Sequence, residues 1–291
     1  MFPKIERPLL ALLSCLAATS ALVTTACAER LQVPVYGYRV VASFPHDDTA
    51  YTQGLVFSEG ELFEGTGEYG HSSLRLVDLE SGQVLRQLAL PAAVFGEGIT
   101  AWGDAIVQLT WREHLGLLHD RATFAPVGQF DLAGEGWGIT QDGRHWIVSD
   151  GSATLRFLDP ETHREVRRVE VRDAGRPVKR LNELEYVEGE VWANIWYEDR
   201  LVRISPDDGA VLGYVDLTGL WPNQRRRRRD AVLNGIAYDA NTRGLYVTGK
   251  YWPRLYRIEL VSPEPDVTED HTPRASNTGM TGTAVIEGSR R

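Results

Sequence analysis

A chain of 291 residues with 43% apolar content can bury a large core, and its length is compatible with a single all-β domain. The formal net charge of −9 argues against nucleic acid or an anionic membrane surface as the main partner. Both cysteines, Cys15 and Cys27, fall in the first 28 residues, so a disulfide, a thiolate nucleophile and a cysteine–zinc site are excluded from the rest of the chain.

Residues 1–28 read as an export signal. Lys4 and Arg7, with Glu6 between them, make a short net-positive start. The apolar run from Leu9 to Val23 is too short for a comfortable membrane span, and Ala26-Cys27-Ala28 has the small-residue form of a cleavage site. The mature chain then starts at Glu29 and is periplasmic or secreted, with no membrane span. Lipid attachment at Cys27 is the alternative, although Val23-Thr24-Thr25-Ala26 lacks the leucine that usually precedes such anchors.

Next comes a candidate strand, Tyr38 to Phe44, and after it five copies of one pattern. They begin at Gln53-Gly54-Leu55, Glu97-Gly98-Ile99, Trp137-Gly138-Ile139, Asn182-Glu183-Leu184 and Asn234-Gly235-Ile236, spaced by 44, 40, 45 and 52 residues. Each copy has a polar or aromatic residue, a glycine (once glutamate) and an apolar residue, followed by a short strand, a turn and a second strand. An alternating third strand follows, as in Ser73 to Asp78 and Arg200 to Ile204. In most copies a turn such as Ser81-Gly82 or Asp208-Gly209 then leads to a fourth strand. No useful length holds a helical period.

A four-stranded repeat of about 40–50 residues marks a propeller blade. The sequence therefore predicts an all-β, five-bladed β-propeller over residues 29–261, each blade a four-stranded antiparallel sheet. The fifth copy runs out of strands after Leu255 to Leu260, and Tyr38 to Phe44 supplies its missing outer strand and closes the ring. The five arginines Arg225 to Arg229 read as a solvated loop rather than a nucleic-acid patch. Residues 262–291, with almost no apolar periodicity, read as a disordered tail.

In such a blade the first residues of each copy line one mouth of the channel, and a hairpin returns the chain to that mouth. Counting 14 residues on from each start gives Gly67, Trp111, Gly151 and Trp196; a longer turn in the fifth copy moves the equivalent to Lys250. An inner ring of Gln53, Glu97, Trp137, Asn182 and Asn234 thus faces an outer ring holding Trp111, Trp196 and Lys250. The repeated glycines beside the inner ring are explained by tight backbone geometry. Varied polar residues within tryptophan walls have the form of a ligand site. Each tryptophan alone also fits blade packing, and Glu97 alone fits a buried pair with Lys250.

The seven histidines show no metal-binding spacing, and there is no nucleophile elbow, P-loop or dinucleotide fingerprint. Glu64-Gly65-Thr66-Gly67 reads as a glycine-rich turn with no helix after it, which argues against phosphate binding.

The motifs Tyr51-Thr-Gln-Gly-Leu55, Phe63-Glu-Gly-Thr-Gly67, Phe95-Gly-Glu-Gly98, Leu109-Thr-Trp111, Gly136-Trp-Gly138, Leu181-Asn-Glu-Leu-Glu185, Val191-Trp-Ala-Asn-Ile-Trp196, Leu233-Asn-Gly235 and Thr248-Gly-Lys250 resemble those of the plant-type and bacterial glutaminyl cyclases. The resemblance runs from about Arg39 to Leu260 and touches every repeat. It departs at Tyr51, where phenylalanine is expected, and at the arginine insertion. It implies a five-bladed propeller that converts N-terminal glutamine of peptides or proteins to pyroglutamate with release of ammonia. It also implies catalysis with no metal or other cofactor, a structural calcium on the channel axis being optional; a monomer is expected, although the sequence itself does not fix the oligomeric state. Carried onto this chain, it implies Glu97 as the proton-transfer group and Gln53, Asn182 and Lys250 as polar partners of the substrate. Phe95, Trp111, Trp137 and Trp196 would form the pocket.

Two other classes compete. A metal-dependent propeller lactonase or hydrolase would use Glu97, Asn182 and Asn234 as ligands, although the ammonium of Lys250 disfavours a dication beside it. A non-catalytic peptide-binding propeller would bind without releasing ammonia.

Overall fold

The computed structural model describes residues 32–222 and 228–263, and all regular structure among them is β. The readings of residues 1–28, of Arg225 to Arg227 and of nearly all of 262–291 lie outside the described residues.

A long strand, β1 (Val35–Pro45), precedes three four-stranded antiparallel meanders. The first is β2 (Thr52–Ser58), β3 (Glu61–Thr66), β4 (Ser73–Val77) and β5 (Val84–Ala89). The second is β6 (Gly96–Trp102), β7 (Ala105–Thr110), β8 (Leu115–Asp120) and β9 (Pro126–Asp131). The third is β10 (Ile139–Gln141), β11 (Trp146–Val148), β12 (Thr154–Leu158) and β13 (Glu165–Glu170). A two-stranded hairpin that the repeat pattern does not contain, β14 (Arg172–Asp173) and β15 (Arg176–Pro177), leads to β16 (Leu181–Val187), β17 (Glu190–Ile195), β18 (Arg200–Ile204) and β19 (Val211–Asp216). The last run is β20 (Leu233–Asp239), β21 (Gly244–Gly249) and β22 (Arg254–Val261). β1 lies antiparallel to β22 from Gly37↔Val261 to Pro45↔Arg254, and its start touches β19 in parallel through Val35↔Tyr214.

The first strands pack side by side: β2 on β6, β6 on β10, β10 on β16, β16 on β20, and β20 on β2. The apolar core lies between neighbouring sheets. Phe63 and Leu74 of the first meet Ile99 and Ile106 of the second, and Leu109 and Phe130 meet Trp146 and Val148 of the third. Leu155 and Phe157 meet Leu184 and Val202, Trp192 and Leu201 meet Ile236 and Val247, and Tyr246 and Leu255 meet Leu55 and Leu62. A sheet covered on both faces needs apolar residues at successive positions. That is why inner strands such as β4 are buried throughout, whereas the outer strand β5 is almost wholly exposed. The architecture is propeller-like.

The glycines beside the inner ring are required by how closely the first strands approach. A Cβ on Gly54 would stand 2.5 Å from the Ile99 nitrogen, and one on Gly138 would stand 2.1 Å from the Asn182 carbonyl oxygen. In the fourth repeat Glu183 takes the glycine's place. Its two carboxylate oxygens accept the Leu55 N–H (3.1 Å) and the Ile236 N–H (2.9 Å). Glu64-Gly65-Thr66 is strand, not the turn that its composition suggests. Gly65 is needed for space, since a Cβ there would meet the Ile99 side chain at 2.7 Å and the Glu97 carbonyl at 3.0 Å.

Candidate active site

Four of the five inner-ring residues occupy the second position of a first strand: Gln53 of β2, Glu97 of β6, Asn182 of β16 and Asn234 of β20. The pairing register shifts there each time, between Thr52 and Gly54, Gly96 and Ile99, Leu181 and Leu184, and Leu233 and Ile236. The polar–glycine–apolar signature is therefore a bulge, a device that re-aims a side chain at a strand end. The hairpin count is also accounted for. Gly67, Trp111, Trp196 and Lys250 each donate their N–H to the carbonyl two residues before an inner-ring position, at Tyr51, Phe95, Arg180 and Val232 respectively. The third repeat differs. β10 has only three residues, and Trp137 lies ahead of it rather than within it.

These elements bring Gln53, Phe95, Glu97, Trp111, Trp137, Asn182, Trp196 and Lys250 together around one pocket of about 180 Å³, with Tyr51 as a further wall. All eight residues expected from the sequence line it. Phe95 meets Trp111 edge-on at 5.4 Å between ring centroids and Tyr51 at 6.0 Å, and Trp137 meets Trp196 edge-on at 5.3 Å. The two outer-ring glycines leave room for these rings. A Cβ on Gly67 would stand 2.5 Å from the Phe95 ring, and one on Gly151 would stand 2.6 Å from the Trp137 ring.

The floor is polar and buried. Gln53, Glu97, Asn182 and Lys250 are each at most 4% exposed. The Asn182 amide donates to Asn234 Oδ1 at 2.9 Å. Asn234 in turn donates to the Thr52 carbonyl at 2.9 Å and, more weakly, to Gln53 Oε1 at 3.4 Å. Asn234 thus stands behind the pocket and fixes two of its amides. The Lys250 ammonium sits 4.3 Å from the centre of the Tyr51 ring, a cation–π contact. Glu97 makes no ion pair or side-chain hydrogen bond with a described residue, so its carboxyl is left for whatever enters.

Burial drives the Glu97 carboxyl well above its usual range. Lys250 draws it back down, while Glu135 and Glu113 raise it further. Burial lowers the Lys250 ammonium to about 8, against the opposing pull of Glu97, Asp230 and Glu68. A carboxyl and an ammonium held away from their usual ranges in one pocket are suited to proton transfer and charge stabilisation near neutral pH.

Glu135 was not expected. Its Oε2 accepts the indole N–H of both Trp111 (2.9 Å) and Trp137 (3.0 Å). It stands two residues before Trp137, as Tyr51 and Phe95 stand two before Gln53 and Glu97. Counting back from the ring would have found it.

The class defined by this scaffold and cup is a propeller-like protein built to hold one small polar group inside aromatic walls. The sequence profile of the glutamine cyclotransferase family matches residues 10–260. A glutaminyl-peptide cyclotransferase of Arabidopsis thaliana is 44% identical over 225 residues, which cover 76% of this chain and 70% of that one. The crystal structure of Myxococcus xanthus glutaminyl cyclase superposes with a TM-score of 0.76 at 33% identity, covering 80% of this chain and all of that one. The chain belongs to the glutamine cyclotransferase family and is an enzyme of that kind.

Proposed function

We propose that the pocket is an active site that cyclises N-terminal glutamine of peptides and proteins to pyroglutamate and releases ammonia, on a five-bladed propeller closed by β1. The ring reading is supported by the unbroken succession of first strands, β2 to β6 to β10 to β16 to β20 and back to β2, and by the pairing of β1 with β22. The catalytic reading is carried by one observation: Glu97, buried and without a side-chain partner among the described residues, faces the same small cup as Lys250 and Asn182.

The substrate's neutral α-amine attacks the carbon of its own side-chain amide. A nitrogen–carbon bond forms, the amide oxygen takes up negative charge, and the bond to the leaving nitrogen then breaks. Because the reaction is intramolecular, holding the glutamine chain folded supplies much of the acceleration. Phe95, Trp111, Trp137 and Trp196 are the walls that hold it so. Lys250 Nζ and the second N–H of the Asn182 amide donate to the developing oxyanion, a kind of contact worth ~10²–10³ in rate. Gln53 keeps acceptor capacity for the α-amine beyond its weak bond from Asn234. Glu97 takes the proton that the attacking nitrogen must lose and returns it to the leaving nitrogen. Ammonia departs, the carbonyl reforms, and the carboxyl ends as it began. No metal or other cofactor enters this scheme.

The test is ammonia release from a glutamine-initiated dipeptide by the purified protein, with and without a strong chelator. Release that the chelator leaves unchanged is expected, and Glu97→Gln should lose ~10²–10⁴ in kcat with an unaltered melting temperature. No release from folded protein would reject the cyclase reading. Near-normal turnover by the Gln variant would reject the shuttle.

A further inference from the structure

Glu135 starts no repeat and does not line the floor of the pocket, yet it holds two of the walls. We infer that Glu135 is the positioning residue that fixes the Trp111 and Trp137 indoles and thereby sets the width of the cup around the glutamine side chain. The second half of that statement rests on the proposed function.

The two indoles come from different sheets: Trp111 follows β7, and Trp137 precedes β10. A single carboxylate oxygen, Glu135 Oε2, joins them at 2.9 and 3.0 Å. Bonds to an ionised acceptor are about twice as strong as neutral ones. The contrast with the core is informative. The buried indole nitrogens of Trp146 and Trp192 have no partner among the described residues. Two of the three that line the pocket, Trp111 and Trp137, share a carboxylate.

Glu135 is itself held in place. The buried Arg156 guanidinium donates to the Ala133 carbonyl and, at 3.1 Å, to the Glu135 carbonyl. Gly136 permits the close passage of this loop, since a Cβ there would meet Leu132, Leu109 and the Thr110 carbonyl at 3.0 Å or less. Arg112 completes the clamp. Its guanidinium lies 3.7 Å from the centre of the Trp111 ring, and its Nε stands 3.6 Å from Glu135 Oε1. Trp111 abuts Phe95 and Trp137 abuts Trp196, so one carboxylate constrains all four aromatic walls.

The experiment compares Glu135→Ala and Glu135→Gln in the full chain. Two readouts are taken: the indole N–H resonances of Trp111 and Trp137 in the ligand-free protein, and KM and kcat for a glutamine-initiated dipeptide. The Ala variant should move both resonances and raise KM about tenfold, with a smaller fall in kcat, as expected for the loss of about one hydrogen bond's worth of positioning. The Gln variant keeps a carbonyl oxygen that can accept both N–H groups, so it should recover most of the loss. Unmoved resonances or an unchanged KM in the Ala variant would overturn the inference, as would a Gln variant no better than Ala. Shifted resonances in a protein whose wild type releases no ammonia would leave the clamp standing and reject the active-site reading alone.

Discussion

Lys250 shows how much one buried charge decides. It is 2% exposed, and burial lowers its ammonium to about 8. In its proposed role of oxyanion donor it would serve only while protonated, so its contribution would fade as pH rises through that value. The substrate's α-amine, with an ordinary value of about 7.7–8.0, must be neutral to attack, so its contribution grows over the same range. The product of the two is a bell in kcat/KM whose alkaline limb falls through about 8 and whose acid limb also carries the ionisation of Glu97, which burial raises well above its usual range. Lys250→Met should lower the rate by ~10²–10³ and abolish the alkaline fall, leaving a curve that rises to a plateau. An alkaline limb that persists in the Met variant would assign that titration elsewhere. Gln53, Glu97, Asn182 and Lys250 were legible in the sequence because a repeat puts equivalent positions in register, and variation within that register stands out. Glu135 shows only in its place two residues before Trp137; its role does not show, because Gly134-Glu135-Gly136 has the composition of a turn and its indole partners lie in different repeats.

At the scale of elements, the end of β1 is anchored by a buried ionic group that the repeat pattern does not contain. His46, one residue past β1, donates through Nε2 to the Glu64 carboxylate of β3 at 3.0 Å and through Nδ1 to the Trp252 carbonyl at 2.6 Å. Glu64 also accepts from Thr52 at 2.8 Å and faces Arg75 at 3.6 Å. Burial works against a charged His46. The charge and hydrogen bond of Glu64, with the Trp252 carbonyl and Asp47, outweigh it and raise the imidazole above 6.5. Glu64 moves the other way: burial raises it, and His46, Arg75 and Thr52 together bring it below 4.5. A raised histidine adds stability that is complete below its unfolded value and is lost as pH rises through its folded value. A lowered glutamate adds stability that is complete above its unfolded value and is lost as pH falls through its folded value. The pair is therefore worth most between about pH 4.5 and 6.5. His46→Ala should cost about 1–3 kcal/mol in that window, because it takes the nearer cation from a buried carboxylate and leaves it only Arg75 and Thr52. The deficit should shrink as pH is raised through the folded value of His46, and a deficit independent of pH would exclude the ionic account. The sequence showed strands and turns here but not this anchor, since His46, Glu64 and Arg75 are far apart in the chain and carry no common spacing. The same limitation made Glu64 to Gly67 read as a turn, when Gly65 serves the approach of two strands.

For the whole molecule the central fact is that neighbouring first strands approach too closely for a Cβ beside the inner ring, which is why the glycines recur. The repeat was the most legible feature of the sequence, and its one exception is the most telling. Glu183 replaces the glycine of the fourth repeat and reaches the Leu55 N–H of β2 and the Ile236 N–H of β20, so it links three of the strands around the axis. Its side chain is 1% exposed, and burial, with the charge of Glu185 beside it, raises its carboxyl well above the usual range. Such a group costs desolvation, and it offsets that cost by satisfying two backbone donors on the unpaired edges of β2 and β20, each the end strand of its sheet. Restoring the consensus with Glu183→Gly would orphan both donors and open a void. At about 1–3 kcal/mol for each buried unsatisfied group, the loss is about 2–6 kcal/mol. For a domain of this size each kcal/mol lowers the melting temperature by about 2–4 °C, so a fall of roughly 10 °C is expected by calorimetry. Glu183→Gln keeps one acceptor and should lose about half as much. A Gly variant that melts with the wild type would mean that the glycines, and not this carboxylate, hold the strands together at the axis.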